Sequence, residues 1–172
     1  MAVMDILVYP AAPLTEVAAP VLKFGRELKQ LASDMLETMD ANGGVGLAAP
    51  QVGIRQRLVV ICEPEDEPMA LVNPEIVEMD GKAYGEEGCL SLPELYASVP
   101  RATHIHVRAL DWDGHPLDFE AHDFLARIIQ HECDHLEGKV FPQRLDALSR
   151  DAVLDEWEAI RAKLVLSTTA SG

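Results

Sequence analysis

Two histidines one helical turn apart constrain this chain more than any other feature. The segment from Phe124 to Glu137 has the pattern of a helix and contains the H-E-x-x-H box His131-Glu132-Cys133-Asp134-His135. Each helical residue advances about 100° around the axis, so His131 and His135 lie only ~40° apart on one face. Two imidazoles placed in this way can share one cation, and the box therefore predicts a metal site on this helix.

The residues between the two histidines take different positions around the helix. Glu132 lies ~80° from the midline of the histidine pair, so it flanks the predicted metal, as a base for water must. Cys133 points to the far side of the helix, and we do not expect it to be a ligand.

The box itself does not fix the third metal ligand. One metalloprotease pattern continues as H-E-x-x-H-x-x-G-x-x-H, but its last position here is Phe141, which cannot bind a metal. A carboxylate from residues 155–158 is one alternative. The other is Cys89, which lies between Gly88 and Leu90 after two acidic residues and offers a thiolate, a strong ligand for iron or zinc.

Three boxes in the sequence resemble those of the peptide deformylase family. Residues 44–51 read G-V-G-L-A-A-P-Q, residues 87–91 read E-G-C-L-S and residues 130–136 read Q-H-E-C-D-H-L. They match the family's G-x-G-L-A-A-x-Q, E-G-C-L-S and Q-H-E-x-D-H-L boxes in order and approximate spacing, and the resemblance extends from about Val3 to Leu145. It implies a hydrolase that removes the N-formyl group from the formyl-methionine of nascent polypeptides and releases formate.

The resemblance also implies one divalent metal ion per chain. The metal ligands would be Cys89, His131 and His135. Iron(II) is the expected native metal, with zinc(II) or nickel(II) as alternatives in a purified sample. The ligand set does not select iron by itself, because zinc has the higher intrinsic affinity.

Further residues around the metal take their roles from the same resemblance. Glu132 would accept a proton from water and pass it to the leaving amine. The Gln51 amide and the backbone N–H of Leu90 would stabilise the oxyanion. Glu87 and Arg101 would form an ion pair that braces the cysteine loop.

The expected substrate pocket departs from the family pattern at two positions. Tyr96 stands where some bacterial members carry a basic residue, so it supplies no positive charge to the peptide beyond the methionine. Arg127 lies one turn before His131, and we expect its stem to line the pocket mouth while its head stays in water. The predicted substrate-binding residues are Val45, Gly46, Gly88, Tyr96, Phe124, Arg127, Ile128 and His131.

Composition agrees with an ordinary globular protein. The 172 residues suit a single domain over residues 1–166, and we expect a disordered tail over 167–172. The 14 basic and 29 acidic residues give a net charge of −15, which argues against direct nucleic-acid binding. Three cysteines without a disulfide-scaffold pattern favour a reducing compartment, and the resemblance implies the bacterial cytoplasm. No apolar run approaches membrane-spanning length, so we expect no membrane association.

The C-terminal segment has too little positive charge for strong ribosome attachment. Some bacterial deformylases are tethered to the ribosome by a basic C-terminal helix. Between Ser149 and Leu166 this chain has three basic and four acidic residues, which gives −1. We expect weak ribosome association and a helix that mainly covers the core through Leu154, Trp157 and Ile160.

Hydrophobic periodicity indicates an α+β fold. The resemblance sharpens this to small antiparallel and mixed sheets wrapped around the metal-binding helix, followed by a C-terminal helix. We predict a break at Asn73-Pro74 between two short strands, and a hairpin turn at Asp113-Gly114. The other predicted elements are a helix over 24–40, strands over 58–62, 70–72, 75–79, 105–109 and 117–120, and the final helix.

Two other functions stay open at this point. A zinc metallopeptidase would take its third ligand from residues 155–158. A non-catalytic protein with a closed structural zinc site would have no use for Glu132 and Gln51 beside an open coordination position.

Overall fold

Three α-helices and seven β-strands are present among the described residues. The computed structural model describes the backbone of residues 2–171 and the side chains as far as Leu166. The helices are α1 (Arg26–Ala41), α2 (Asp123–Leu136) and α3 (Ala147–Ser171). The strands are β1 (Gly46–Ala48), β2 (Leu58–Ile61), β3 (Met69–Asp80), β4 (Ala83–Cys89), β5 (Leu92–Arg101), β6 (His104–Leu110) and β7 (Pro116–His122).

The strands form two antiparallel sheets. One contains β1, β2, β3, β6 and β7 in that order, and the other contains only the hairpin of β4 and β5. Cys89 is the last residue of β4 and is paired with Leu92, the first residue of β5. The cysteine therefore lies at the closed end of a hairpin that shares no strand pairing with the larger sheet.

The larger sheet lies between α1 and α2. All four residues of β2 are buried, and they alternate between two core clusters. Val59 and Ile61 pack with the α2 residues Ile128 and Ile129. The intervening residues of β2 pack with Met35 and other residues of α1. This alternation follows from the two-residue period of a strand, which gives β2 two buried faces.

The C-terminal helix supports the cysteine hairpin. Trp157 of α3 is fully buried and packs with Leu92, Leu95 and Val99 of β5. Val153, Ile160 and Leu164 of α3 are partly buried against the same cluster. The helix thus covers part of the core, as its apolar pattern predicts, and it does so at the strand that follows the cysteine turn.

The α+β class and its arrangement around α2 are confirmed, but the predicted break at Asn73-Pro74 is wrong. The strand β3 runs through both residues, with a shift of register between Val72 and Glu75. Asn73 has a left-handed backbone (φ 50°), and its side-chain amide bonds to the backbone N–H and C=O of Val21. These distant hydrogen bonds allow the strand to absorb an irregularity that local sequence rules interpret as its end.

The C-terminal helix is longer than predicted. It extends to Ser171, whereas the sequence predicts a tail from residue 167. No Pro or Gly interrupts the chain between Ala147 and Ser171, which agrees with a continuous helix. The last residue of the predicted tail, Gly172, lies outside the described residues. Within the described part of the chain, no helix is long and apolar enough to cross a membrane.

Candidate active site

Three potential metal ligands come together from two separate elements. Cys89 ends β4, and His131 and His135 lie one turn apart on α2. Their ligand atoms all lie within 4.8 Å of one another, and Cys89 Sγ is 3.4 Å from His135 Nε2. Tetrahedral zinc bonds of about 2.3 Å to sulfur and 2.0 Å to nitrogen place such atoms about 3.5 Å apart. The group can therefore hold one metal ion, and a set of one sulfur and two nitrogens suits zinc or iron.

Glu87 fixes the orientation of the His131 ring. His131 Nδ1 lies 2.9 Å from Glu87 Oε1, and both side chains are buried. Burial alone would raise the pKa of Glu87, but hydrogen bonds from Arg101 and His131 lower it to about 2. Glu87 is therefore ionised at neutral pH and accepts a hydrogen bond from Nδ1–H, which leaves the Nε2 lone pair of His131 for a metal.

Arg101 connects Glu87 to a second buried carboxylate on α2. Its guanidinium donates to both Glu87 oxygens, over 2.8 Å and 2.9 Å, and to Asp134 Oδ2 over 2.6 Å. Asp134 also accepts two hydrogen bonds from Arg144, which follows α2 in the chain. The predicted ion pair between Glu87 and Arg101 is thus present. Within this pair, Glu87 contacts the ring of His131, and neither residue contacts the Cys89 thiol.

The expectation that the head of Arg127 stays in water is wrong. Its side chain is only 14% exposed, and its guanidinium lies 2.6 Å from Glu87 Oε2. It also donates to the backbone carbonyls of Ala83 and Val99, over 2.9 Å and 2.8 Å. These acceptors belong to the β4–β5 hairpin, and they replace the water that would otherwise solvate the guanidinium.

Glu132 lies beside the three ligands in a narrow space. Its side chain is buried, and its Oε1 has no hydrogen-bond partner among the described residues. Burial, together with the negative charge of Glu87, raises the pKa of Glu132 to about 7, although His131 acts in the opposite direction. A Cβ on Gly46 would lie 2.6 Å from Glu132 Oε2, so only glycine allows β1 to pass this close to the carboxylate.

Gln51 is held in a fixed orientation next to Cys89. Its Oε1 accepts the backbone N–H of Ala48 over 2.9 Å, and its Nε2 donates to Ser91 Oγ over 3.1 Å. The same Nε2 lies 3.7 Å from Cys89 Sγ. The amide thus presents its N–H groups, not its oxygen, to the side of the site where the cysteine lies. Leu90, the next residue after Cys89, lines the adjoining cavity.

An open cavity of about 540 Å³ leads to this group. Tyr96 and Phe124 are half-exposed or more, and the Tyr96 ring lies over Gly88. All eight predicted substrate-binding residues line the cavity together with Gln51, Cys89 and Glu132; they are Val45, Gly46, Gly88, Tyr96, Phe124, Arg127, Ile128 and His131. A cavity that reaches two of the potential ligands, Cys89 and His131, and the buried carboxylate of Glu132 is unlike a closed structural metal site.

Known proteins show the same sequence pattern and the same fold. Residues 3–151 match the model of a family described as Polypeptide deformylase. The peptide deformylase of Alkalilimnicola ehrlichii is 48% identical over 93% of this chain and 92% of its own length.

The chain belongs to the polypeptide deformylase family.

Solved structures agree with the assignment to the polypeptide deformylase family. The peptide deformylase from Thermus thermophilus is 44% identical and superposes with a TM-score of 0.89, and the alignment covers 99% of this chain and 100% of that one. The peptide deformylase from Legionella pneumophila is 39% identical with a TM-score of 0.88, and the alignment covers 95% of this chain and 98% of that one.

Other candidate ligands lie away from the deformylase site. Cys133 packs against the core on the far side of α2, and burial raises the pKa of its thiol to about 12. The acidic residues within 155–158 are exposed on α3, and none joins a ligand group with the α2 histidines in the described part of the chain. The structure therefore does not support the alternative of a carboxylate third ligand.

Three polar residues near the deformylase site were not predicted. Asp134 lies inside the H-E-x-x-H box, and its burial on a charged helix could have been inferred from the Q-H-E-x-D-H-L match. Ser91 lies inside the E-G-C-L-S box and bonds to Gln51. Arg144 belongs to no box, and nothing in the local sequence indicates that it bonds to Asp134.

We expect Arg101→Ala to weaken metal retention although it removes no ligand. The substitution leaves the buried Asp134 and Glu87 carboxylates with fewer partners and frees the His131 ring to rotate. Partners of this kind typically contribute about 10–100-fold in metal affinity. The loss of zinc to a chelator should be measured beside Arg55→Ala, which removes an exposed ion pair with Glu16. Equal rates of zinc loss from both variants and the unsubstituted protein would contradict the role of Arg101 in holding Glu87 and His131 in place.

Proposed function

We propose that Cys89, His131 and His135 hold one divalent metal ion and that Glu132 transfers the proton in the reaction of this site. Membership of the polypeptide deformylase family gives the chain the reaction itself. It is a metal-dependent hydrolase that removes the N-formyl group from the N-terminal formyl-methionine of nascent polypeptides and releases formate. The observation that carries the proposal is the approach of a cysteine thiol to the two histidines beside an unpartnered, buried carboxylate.

Glu132 is the group placed to move a proton between water and the leaving amine. A divalent ion at this position supplies Lewis-acid chemistry, activating water and polarising the formyl carbonyl. Glu132 accepts a proton as the oxygen of water attacks the formyl carbon. It then donates that proton to the amine nitrogen as the C–N bond breaks, which releases formate and a free methionyl N-terminus. Its unpartnered Oε1 supports this role, because no described group competes for the proton.

Gln51 and Leu90 are placed to stabilise the negative charge that develops on the formyl oxygen. The Ala48 N–H holds Gln51 Oε1, so the Nε2 group is directed towards Cys89. We assign the second donor to the backbone N–H of Leu90, which follows the cysteine in the hairpin turn. One donor of this kind is worth about 2.7–4 kcal/mol of transition-state stabilisation.

The cavity supplies the place for the formyl-methionyl peptide. Ile128 and Val45 offer apolar surface to the methionine side chain, close to Glu132. Phe124 and Tyr96 lie at the exposed edge, where the peptide leaves the enzyme. Since Tyr96 carries no positive charge, we assign it packing or hydrogen bonding with the peptide rather than an ionic contact.

The finer identity of the cofactor and the location in the cell are also part of the proposal. We assign iron(II) as the native metal, with zinc(II) or nickel(II) able to replace it in a purified sample. We place the enzyme in the bacterial cytoplasm, because its substrate is the nascent chain and its metal site needs a reduced Cys89 thiol.

We expect Glu132→Gln to keep the metal and lose most of the turnover, because the proton acceptor is removed and the three ligands stay. Removal of a general base typically costs about 10²–10⁴-fold in rate. The measurement is formate release from formyl-Met-Ala-Ser by anaerobically purified enzyme, together with metal content.

The matched control for that prediction is Glu156→Gln on α3, which should leave formate release and metal content unchanged. If Glu132→Gln turned over at the normal rate with full metal occupancy, its role would be wrong. If the unsubstituted protein released no formate, the proposed function would fail as a whole.

We further propose that ribosome binding is weak or uses another surface than α3. Between Ser149 and Leu166 the helix has a net charge of −1 on a chain of −15. The negatively charged chain is repelled by the phosphates of ribosomal RNA, and the helix offers few basic side chains to contact them. The burial of Trp157 supports a packing role for this helix.

We expect most of the enzyme to stay in the supernatant when ribosomes are sedimented at near-physiological salt. Tight co-sedimentation that disappears in a double variant, Arg161→Glu with Lys163→Glu, would show that α3 does bind ribosomes. Substitution is preferable to truncation, since truncation would remove Trp157 from the core.

A further inference from the structure

Arg127 makes more contacts with the cysteine hairpin than a pocket-lining side chain needs. Its Nη1 lies 2.6 Å from Glu87 Oε2 and 2.8 Å from the carbonyl oxygen of Val99. Its Nη2 donates to the carbonyl oxygen of Ala83 over 2.9 Å. One guanidinium therefore holds both strands of the hairpin and the carboxylate that orients His131.

The hairpin needs such contacts because it pairs with no other strand of the described fold. The relative position of Cys89 and the two histidines is set where β4 and β5 meet α2. A buried arginine, Arg101, and a partly buried one, Arg127, make ionic contacts there. Arg101 ties Glu87 to Asp134 in the second half of α2, and Arg127 ties Glu87 to the first half.

Two points of attachment fix an orientation that one point cannot. Arg127 and Asp134 are separated by about 10 Å along the helix axis at 1.5 Å per residue. Glu87 also bonds to His131, which lies between these two positions on α2. Arg127 therefore adds the attachment of the hairpin that is nearest the N-terminal end of α2.

Gly85 provides the space that the guanidinium occupies. A Cβ at this position would lie 2.9 Å from Arg127 Cζ and 3.0 Å from its Nε and Nη2. A side chain on β4 and the bound guanidinium exclude each other, so Gly85 and Arg127 act as a matched pair.

We propose that Arg127 is a positioning residue that holds the Cys89 thiol next to the histidines of α2, and that Gly85 leaves the space in which the Arg127 guanidinium binds. The inference rests on the proposed metal centre. It replaces the role of Arg127 as a substrate contact at the pocket mouth with a role in holding the metal ligands, exerted through Glu87 and the hairpin backbone.

The decisive experiment separates metal retention from substrate binding. Arg127→Met keeps the length of the stem and removes the guanidinium. We expect zinc loss to a chelator to be about 10-fold faster or more, and the thiolate-to-cobalt absorption of the cobalt-substituted protein to change, with KM unchanged. Arg108→Met removes an exposed ion pair with Asp118 and is the control, expected to match the unsubstituted protein. Arg127→Lys should lose zinc at a rate between those of the unsubstituted protein and Arg127→Met, because one ammonium cannot reach Glu87 and both strands.

Gly85→Ala tests the same contact without touching Arg127, and it carries the test if Arg127→Met does not fold. It should reproduce the faster zinc loss and the altered cobalt spectrum, and the double variant should be no worse than the more severe single one. Raised KM with unchanged zinc loss and cobalt spectrum in either variant would overturn the proposal and restore a substrate contact. Because zinc loss and the cobalt spectrum need no turnover, they fail or succeed independently of formate release.

Discussion

The buried carboxylate of Glu87 is the interaction on which the rest of the site depends. It accepts a hydrogen bond from the His131 ring and further hydrogen bonds from two guanidinium groups, and its side chain is only 5% exposed. An unpaired carboxylate at such a position would take up a proton or unfold the region, because burial of an isolated charge costs several kcal/mol. The surrounding cations keep it ionised, so that it can hold His131 in one orientation and the hairpin against α2.

This arrangement explains why a strongly acidic chain concentrates arginine at one place. Arg101, Arg127 and Arg144 meet Glu87 and Asp134 within one network. Guanidinium suits the task because its planar donors can bond two acceptors at once, which lysine cannot do in the same geometry. The network joins α2, the cysteine hairpin and the segment after α2. A metal site whose ligands come from different elements thereby gains a rigid frame.

The sequence predicted those parts of the site whose geometry is local. Helical periodicity alone placed His131 and His135 on one face and Glu132 beside them. Cys89 is 46 residues from His135 in the chain, so the residues alone left it as one of two alternatives for the third ligand, and the resemblance to a known family selected it. The prediction for Arg127 failed because the carbonyls of Ala83 and Val99 that replace its water belong to a hairpin no local pattern revealed.

The same limit explains the errors in the fold. The strand β3 continues through Asn73 because its side chain bonds to Val21, 52 residues earlier in the chain. Local rules describe what a segment prefers when nothing else contacts it, and they predicted α1, β2 and β6 well because packing agrees with those preferences. Where a distant residue satisfies a backbone or a charge, as at Asn73 and Arg127, the local preference is overruled.

X-ray absorption spectroscopy of the zinc-loaded protein tests the central claim most directly, because it counts the ligand atoms around the metal. The structure predicts one sulfur at about 2.3 Å and two histidine nitrogens at about 2.0–2.1 Å, with the remaining coordination supplied by a light atom. The sulfur contribution should disappear in Cys89→Ser and persist in Cys133→Ser. A first shell of nitrogen and oxygen alone in the unsubstituted protein, or a sulfur contribution that survives Cys89→Ser, would contradict the metal centre described here.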